Sequence, residues 1–455
     1  MRLRPYPEYR DSGVEWLGRI PAHWSCLALS RVTLSRCDGP FGSGLKSEHY
    51  TGAGVRVVRL QNIGEGAFRD GDHAYVSEDY ARELGDHSVK SGDLLVAGLG
   101  DEGHPVGRAC VAPVGIEPAM VKADCFRFRP DLQRVTPAFA AYQLSSTATP
   151  EGAFATGSTR ARLNLGTMAK RKVALPPADE QPVIAAFLDR ETARIDALVA
   201  KKERLLDLLQ EKGSALITQA VTKGLDPNVA MKNPGIEWLG EIPAHWGVLT
   251  LRRLVRRIEQ GWSPVAEDRL AGLDEWAVIK LSAVSQGRFL ADEHKALPAD
   301  LAPDRRYEIR EGDFLLTRAN TPELVGDVCV AHGVRNGLML CDLVYRLRLA
   351  REQLTPAYLA YWLLSRAGRY QIEVDARGSS QSMVKVSQAL IRAWAIVLPP
   401  AEEQRRIVAI LDCETARSDA LAVKIREAID RLKELRGGLI AAAVTGKIDV
   451  REKGA

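Results

Sequence analysis

Twelve residues of this chain occur twice. Gly13-Val14-Glu15-Trp16-Leu17-Gly18-Arg19-Ile20-Pro21-Ala22-His23-Trp24 returns as Gly235-Ile236-Glu237-Trp238-Leu239-Gly240-Glu241-Ile242-Pro243-Ala244-His245-Trp246, 222 positions on (235 − 13), with two substitutions. A box repeated at about half the chain length predicts two similar modules related by an approximate two-fold axis. Duplex DNA also has two-fold axes, so a two-part DNA site is one natural target.

The echo extends past the box. Lys90-Ser91-Gly92-Asp93-Leu94-Leu95-Val96 matches Arg310-Glu311-Gly312-Asp313-Phe314-Leu315-Leu316, and each reads as a Gly-Asp turn feeding a buried strand. Thr136-Pro137-Ala138-Phe139-Ala140-Ala141-Tyr142 matches Thr355-Pro356-Ala357-Tyr358-Leu359-Ala360-Tyr361, with Thr placed as N-cap and Pro at the first helical position. Leu175-Pro176-Pro177 and Leu398-Pro399-Pro400 each end a strand-like run. Elsewhere the copies diverge, so the shared positions read as scaffold and the divergent ones as places for different tasks.

A long helical pattern follows each Pro-Pro. From Asp179 to about Val221 the only proline is Pro182, in the first turn. Leu188, Ile195, Leu209 and Leu216 hold one heptad position, interrupted by Lys202. Glu191, Leu198, Leu205, Lys212 and Gln219 hold the companion position. The second copy keeps the register with Leu411, Ser418, Ile425, Leu432 and Leu439, opposite Leu421, Ala428 and Leu435. Such a seam has to be buried against another helix, and the other copy is the obvious partner. About 40 residues at ~1.5 Å each span about 60 Å, the length of a spacer or ruler; the plainer reading is a brace. Gly224 and Pro227 end the first helix. The order is then a module at 1–177, a helix at 178–224, a module at 225–400, and a helix with a tail at 401–455.

The chain's 455 residues suit two or more domains, and 46% hydrophobic with 26% charged residues is the composition of a soluble globular protein. Neither a signal peptide nor a membrane-spanning run is read. Seven scattered cysteines with no Cys-x-x-Cys pair read as reduced thiols of a cytoplasmic protein. A net charge of +4 permits nucleic-acid binding without demanding it.

A search for catalytic chemistry finds little. There is no phosphate-binding Gly-x-x-x-x-Gly-Lys-Ser/Thr loop, and Phe41-Gly42-Ser43-Gly44 lacks the strand–loop–helix context of a cofactor site. Asn233-Pro234 is followed by Gly rather than by the Pro-aromatic pair of amino-methyltransferases. His23 and His245, each beside a tryptophan, read as packing or capping residues. Asp72-His73 and Asp86-His87 read as surface. No metal site is expected.

Basic residues among small polar ones are more telling. Gly157-Ser158-Thr159-Arg160-Ala161-Arg162-Leu163-Asn164, followed by Lys170-Arg171-Lys172, carries five cations and no acid; it aligns with Gly378-Ser379-Ser380-Gln381-Ser382-Met383-Val384-Lys385. Small residues let a backbone approach phosphates, while Arg, Gln and Asn can pair with base edges. Ser158, Arg160, Arg162, Asn164, Ser379, Gln381 and Lys385 are therefore DNA-binding candidates. Arg59, Gln61 and Asn62 in the first copy, with Lys280 and Ser282 in the second, form another pair of loops. Arg108, and Arg318 with Asn320, form a third. Each alone could be a solvated surface residue; recurrence at matching places with different identities suits two readers of different half-sites.

Together the Glu-Trp-Leu-Gly-x-Ile-Pro-x-His-Trp box, the Gly-Asp strand, and Leu-Pro-Pro followed by Glu180-Gln181-Pro182-Val183-Ile184 or Glu403-Gln404-Arg405-Arg406-Ile407 resemble type I restriction–modification specificity subunits, across essentially the whole chain. The resemblance implies a mixed α/β fold with two target-recognition domains separated by two long helices paired as an antiparallel coiled coil. It implies a non-catalytic subunit that reads a bipartite site on double-stranded DNA, with the helices fixing the unread gap. The implied partners are two adenine-N6 methyltransferase subunits and ATP-driven restriction subunits. S-adenosylmethionine, ATP and Mg are expected on those partners, and no cofactor on this chain. Two rivals stand beside it. A self-sufficient methyltransferase or nuclease lacks its motifs here, and a scaffold joining two protein-binding modules would not retain DNA sequence-selectively.

Overall fold

A computed structural model describes residues 4–40, 44–100, 104–146, 162–350, 352–380 (backbone only for 377–380) and 383–451. The chain divides into two compact units: Met1–Lys202 together with Glu427–Ala455, and Glu203–Arg426. Each unit thus holds the start of one long helix and the end of the other, and only the first draws its second helical segment from a distant part of the chain. Among the described residues, no helix is long and apolar enough to cross a membrane.

In the first unit, four antiparallel strands lie in the order Thr33–Cys37, Cys125–Pro130, Leu94–Ala97, Ala109–Val111. Leu94–Ala97 is buried at every position, as expected after the Gly-Asp turn. The turn is built by its own residues. Gly92 has φ +83°, and Asp93 accepts the Lys90 N–H at 2.8 Å and both nitrogens of the Arg129 fork at 2.9 Å. A second sheet runs Tyr75–Val76, Val55–Val58, Ala119–Val121, Ser88–Val89, with its two central strands parallel. Ser25–Ala28 pairs with Lys172–Leu175, the strand that precedes Pro-Pro.

The second unit repeats this plan. Val255–Gln260, Val344–Leu349, Phe314–Thr317 and Val328–Val330 follow the same antiparallel order. Ala277–Ile279 lies parallel to Leu338–Met339, and Gly247–Thr250 pairs with Ala395–Leu398. Asp313 again holds the turn, accepting the Arg310 N–H at 3.0 Å and side-chain nitrogens of Arg346 and Arg348.

The helices run Glu180–Lys223 and Ala401–Val444. In the first unit Ile184, Phe187 and Leu188 share a core with Ile440, Ala443 and Val444, and Arg436 donates to Asp196 at 3.0 Å. These pairings run in opposite directions along the two helices, so the segments are antiparallel. In the second unit Ala220 and Val221 share a core with Ile407 and Leu411. The buried stripe is narrower than the heptads predict. Leu188, Ile195, Leu411 and Ile425 are buried, but Leu198, Leu205, Leu421 and Leu435 of the companion position are 41–57% exposed. A helix pair covers one side of each helix, and these leucines lie outside it.

The helices Pro137–Ser145 and Pro356–Leu364 begin at the predicted prolines, but neither threonine side chain caps its helix. Each threonine N–H instead donates to the glutamine that opens a long helix, Thr136 to Gln181 at 2.7 Å and Thr355 to Gln404 at 3.0 Å. The repeated Glu-Gln is therefore a clasp between helices. Tyr142 and Tyr361 extend it, donating to Asp189 at 2.7 Å and Asp412 at 2.6 Å.

Candidate nucleic-acid interface

Strand pairing brings the divergent loops of the first unit to one end of its sheets. Val58 pairs in parallel with Val121, so Arg59 and Lys122 leave the sheet together. Both cations stand 5.8 Å from the centre of the Tyr50 ring. Arg59 is also held by the Asp72 carboxylate, its Nε donating at 2.6 Å. Gln61 beside it is exposed. Next to them, the Leu163 N–H donates to the Gly98 carbonyl at 2.8 Å and Arg162 bridges Leu99, which fixes these two residues.

Two candidates leave the list on this geometry. Asn62 is fully buried; its amide nitrogen donates to the Arg69 and Asp72 carbonyls at 3.0 Å, and its oxygen accepts the Arg59 N–H. Arg108 is 5% exposed and donates to the carbonyls of Leu60, Ile63, Leu99 and Pro105 at 2.8–3.1 Å. A guanidinium spent on four carbonyls ties two loops together and offers nothing to a base. Both residues build the platform that presents Arg59 and Gln61.

Asn164 is exposed, and its side chain caps Leu165–Lys170 by accepting the Thr167 N–H at 2.8 Å. Ser158 and Arg160 lie outside the described residues.

In the second unit, Arg318 lies 5.6 Å from the centre of the Tyr345 ring, and its carbonyl accepts the Val386 N–H at 2.9 Å. Asn320 and Lys385 occupy facing strands, and Lys385 is exposed. Here the predicted loop is a hairpin, with Arg377–Ser380 pairing Met383–Lys385. Ser379 falls on its first strand, with its side chain outside the described part, and Gln381 lies outside the described residues altogether. Lys280 leaves the parallel pair at the end where Leu340 and Cys341 emerge, while exposed Ser282 donates to Glu293 at 2.6 Å.

The structure adds residues that the sequence reading passed over. Gly39 and Gly261 stand at matching places after the first long strand. A Cβ on either would come within 2.1–2.2 Å of backbone atoms of Lys122 or Cys341, so only glycine lets these strands pack. Beyond Gly261, half-buried Trp262 faces Tyr307, with centroids 6.4 Å apart. Asp38, Lys122 and Asp124 line the corresponding rim of the first unit. The Asp38-Gly39 and Gln260-Gly261 echo was the available signal.

Burial pushes the Asp38 carboxyl up to about 6, against the Gly39 N–H that favours its charge, and the neighbouring Asp124 carboxylate adds to the rise. An unfolded aspartate titrates near ~3.9. The folded state therefore binds this proton more tightly, so Asp38 weakens folding above pH 6, and the penalty fades as pH falls towards about 4. Asp38→Asn keeps the oxygen that accepts the Gly39 and Asp124 N–H groups at 2.7 and 3.1 Å. It is expected to raise the first unit's melting temperature by a few degrees at pH 7.5 and not at pH 4. Thermal denaturation across that range checks it, and a gap that widens on acidification contradicts it.

Comparison with known proteins follows the same lines. Residues 55–206 match the family described as "Type I restriction modification DNA specificity domain". The EcoEI specificity subunit of Escherichia coli is 27% identical over 205 residues, 45% of this chain and 34% of that protein. This alignment spans about a third of the EcoEI subunit. The EcoKI specificity subunit of Escherichia coli strain K12 is 22% identical over 439 residues, covering 95% of this chain and 90% of that one. A chain from a solved type I R-M system, studied for complex assembly and conformational transition, superposes with a TM-score of 0.68 at 16% identity, over 93% of this chain and 98% of its own. That likeness is one of fold.

Proposed function

We propose that this chain, a type I restriction–modification specificity subunit by its matched domain and its relatives, addresses a multisubunit adenine-N6 methyltransferase and endonuclease to a bipartite DNA site. Target-recognition domains at 1–177 and 225–400 each read one half-site. The long helices fix the unread gap. The chain recruits two methyltransferase subunits and the restriction subunits, in the cytoplasm, and those partners hold S-adenosylmethionine, ATP and Mg. This subunit supplies address rather than chemistry.

The observation that carries this reading is a duplicated scaffold with unlike rims. Both units share strand order, turn and clasp, whereas one rim carries Arg59, Gln61 and Arg162 and the other Lys280, Arg318 and Lys385. A common frame with different side chains at its edge is what reading two different half-sites requires. Phosphate contacts by these cations give salt-sensitive affinity, and base-edge contacts discriminate at about 1–3 kcal/mol per bidentate pair.

Mapping methylated adenines in DNA from cells that carry this protein tests the reading, with a bipartite motif as the expected result. Exchanging residues 25–175 for those of a relative is expected to alter one half-site only. Deleting whole turns from one long helix is expected to shorten the accepted gap with both half-sites unchanged. Altered half-sites with an unaltered gap would refute the helices' role.

A further inference from the structure

The two rims hold one equivalent cation in different ways. The Leu163 N–H to Gly98 carbonyl bond of the first unit corresponds to the Val386 N–H to Arg318 carbonyl bond of the second. Arg162 bridges Leu99 as Lys385 pairs with Ala319. One residue further on, Asn164 and Ser387 both cap the next short helix. Arg162 therefore stands where Lys385 stands, 223 positions apart (385 − 162). The sequence alignment of the two basic loops, which sets Arg162 against Met383, is two residues out of register.

Their neighbours differ. Arg162 donates from Nε at 3.0 Å to one carboxylate oxygen of Asp124, and a terminal nitrogen stands 2.9 Å from the same oxygen as an ion pair. Asp124 is fixed on three counts. Its backbone has φ +63°, its carbonyl accepts the Gly98 N–H at 2.8 Å, and its N–H donates to Asp38 at 3.1 Å. In the second unit the matching carbonyl, which accepts the Arg318 N–H at 2.8 Å, belongs to Leu343. Leu343 offers Lys385 no carboxylate.

We infer that Asp124 is a positioning residue for the first half-site: it clamps Arg162 so that the outer edge of the guanidinium reads one guanine, while Lys385 serves the second half-site as a phosphate counter-charge. This rests on the DNA-reading function proposed above. An arginine fork engaged along its Nε side still has one outward N–H on each terminal nitrogen for an end-on pair, and O6 with N7 of guanine is the base edge that fits two parallel donors. The Arg162 side chain is 52% exposed, so this end remains accessible. Holding the fork in advance removes the entropy of ordering a long side chain, which lets one contact discriminate. A lysine on a flexible stem presents a point charge and no planar edge.

The test uses the full chain with its methyltransferase partner in cells, reading genomic adenine methylation. The wild-type chain establishes the bipartite motif; if it gives none, the DNA-reading function itself fails, apart from this inference. Asp124→Gly keeps the positive-φ backbone without steric cost. It is expected to make one G·C pair degenerate, with a loss of discrimination on the order of tenfold, in the half-site that the 25–175 exchange alters. Asp124→Asn retains an acceptor oxygen and is expected to restore most of that discrimination. Lys385→Gln is expected to lower methylation at all sites alike with the motif intact. Should Asp124→Gly fail to fold, Arg162→Gln, an exposed change, is expected to relax the same position. An unchanged motif in Asp124→Gly or in Arg162→Gln, or degeneracy in the other half-site, overturns the inference.

Discussion

Removing residues 427–455 is expected to unfold the first compact unit and to spare the second. The tail of the chain forms part of the core around the N-terminal box. Ile440, Ala443, Val444 and Val450 are at most 4% exposed, and all four pack in one cluster with Trp24, Ile184 and Leu188. Polar ties follow the same route. The Gln143 amide donates to the Val444 carbonyl and the Tyr9 hydroxyl to the Gly446 carbonyl, both at 2.9 Å. Arg4 bridges Asp449, and Arg451 stands 5.0 Å from the centre of the Tyr6 ring. Burial of one aliphatic side chain contributes roughly 1.5–3 kcal/mol, so losing several, with their hydrogen bonds, approaches the ~5–15 kcal/mol that holds a whole domain. The second unit closes its core with Ala220, Val221, Ile407 and Leu411, all of which the truncation retains. Hydrogen exchange resolved by segment checks this. Protection is expected to vanish at Leu94–Ala97 and Cys125–Pro130 and to persist at Phe314–Thr317 and Val344–Leu349. Equal loss in both sets, or in neither, counts against it.

The sequence carried a signal for this closure that the helical reading missed. Ala220-Val221-Thr222 ends the first helix and Ala443-Val444-Thr445 ends the second, each at most 7% exposed. Gly224 and Gly446 follow, with φ of +79° and +70°. The sequence marks Gly224 as the cap that ends a helix. A Cβ on Gly224 would approach Trp246 to 3.2 Å, and one on Gly446 would approach Pro21 to 2.3 Å, so each glycine also seats a helix end on a box. Local pattern shows that a helix stops; it does not show what the stop rests on. The same limit explains the site. The repeat, the Gly-Asp strands and the Pro-Pro landmarks were legible because each is specified within a few residues. The burial of Arg108 was not, because its acceptors are carbonyls up to 48 residues away. The pairing of Arg162 with Asp124, 38 residues apart, was hidden in the same way. The register of Arg162 against Lys385 was obscured because it is set by bridges to Leu99 and Ala319, more than 60 residues away in each case. Polar periodicity likewise could not tell which heptad position faces the partner helix, which left Leu198 and Leu435 misassigned to a buried seam.

Glu180→Ala is expected to destabilise the first unit by about 3–5 kcal/mol, and Glu403→Ala to destabilise the second by less, about 1–3 kcal/mol. The reason lies in what each carboxylate satisfies. Glu180, with a side chain 4% exposed, accepts from the Tyr6 hydroxyl, from Trp24 Nε1 at 3.3 Å and bonds His23 Nε2 at 3.0 Å. Burial, with the Glu180 hydrogen bond, holds the Tyr6 hydroxyl far above its ordinary range, so it remains a donor. Glu403, 18% exposed, bonds His245 Nε2 at 2.9 Å and accepts from Trp246 Nε1 at 3.0 Å. Truncating the first strands two buried donors, Tyr6 and Trp24, while water can reach the second and replace part of what is lost. Chemical denaturation followed by segment-resolved exchange separates the two units. Equal effects, or a larger effect at Glu403, would show that the carboxylate is not what organises the box. If the order holds, it explains why two motifs about 157 residues apart recur as a set. The tryptophan of each His-Trp pair brings a donor that cannot be left unpaired in a core, and the glutamate after Pro-Pro supplies the acceptor that lets it be buried. Neither motif is stable in its place without the other, so a duplication that kept one had to keep both.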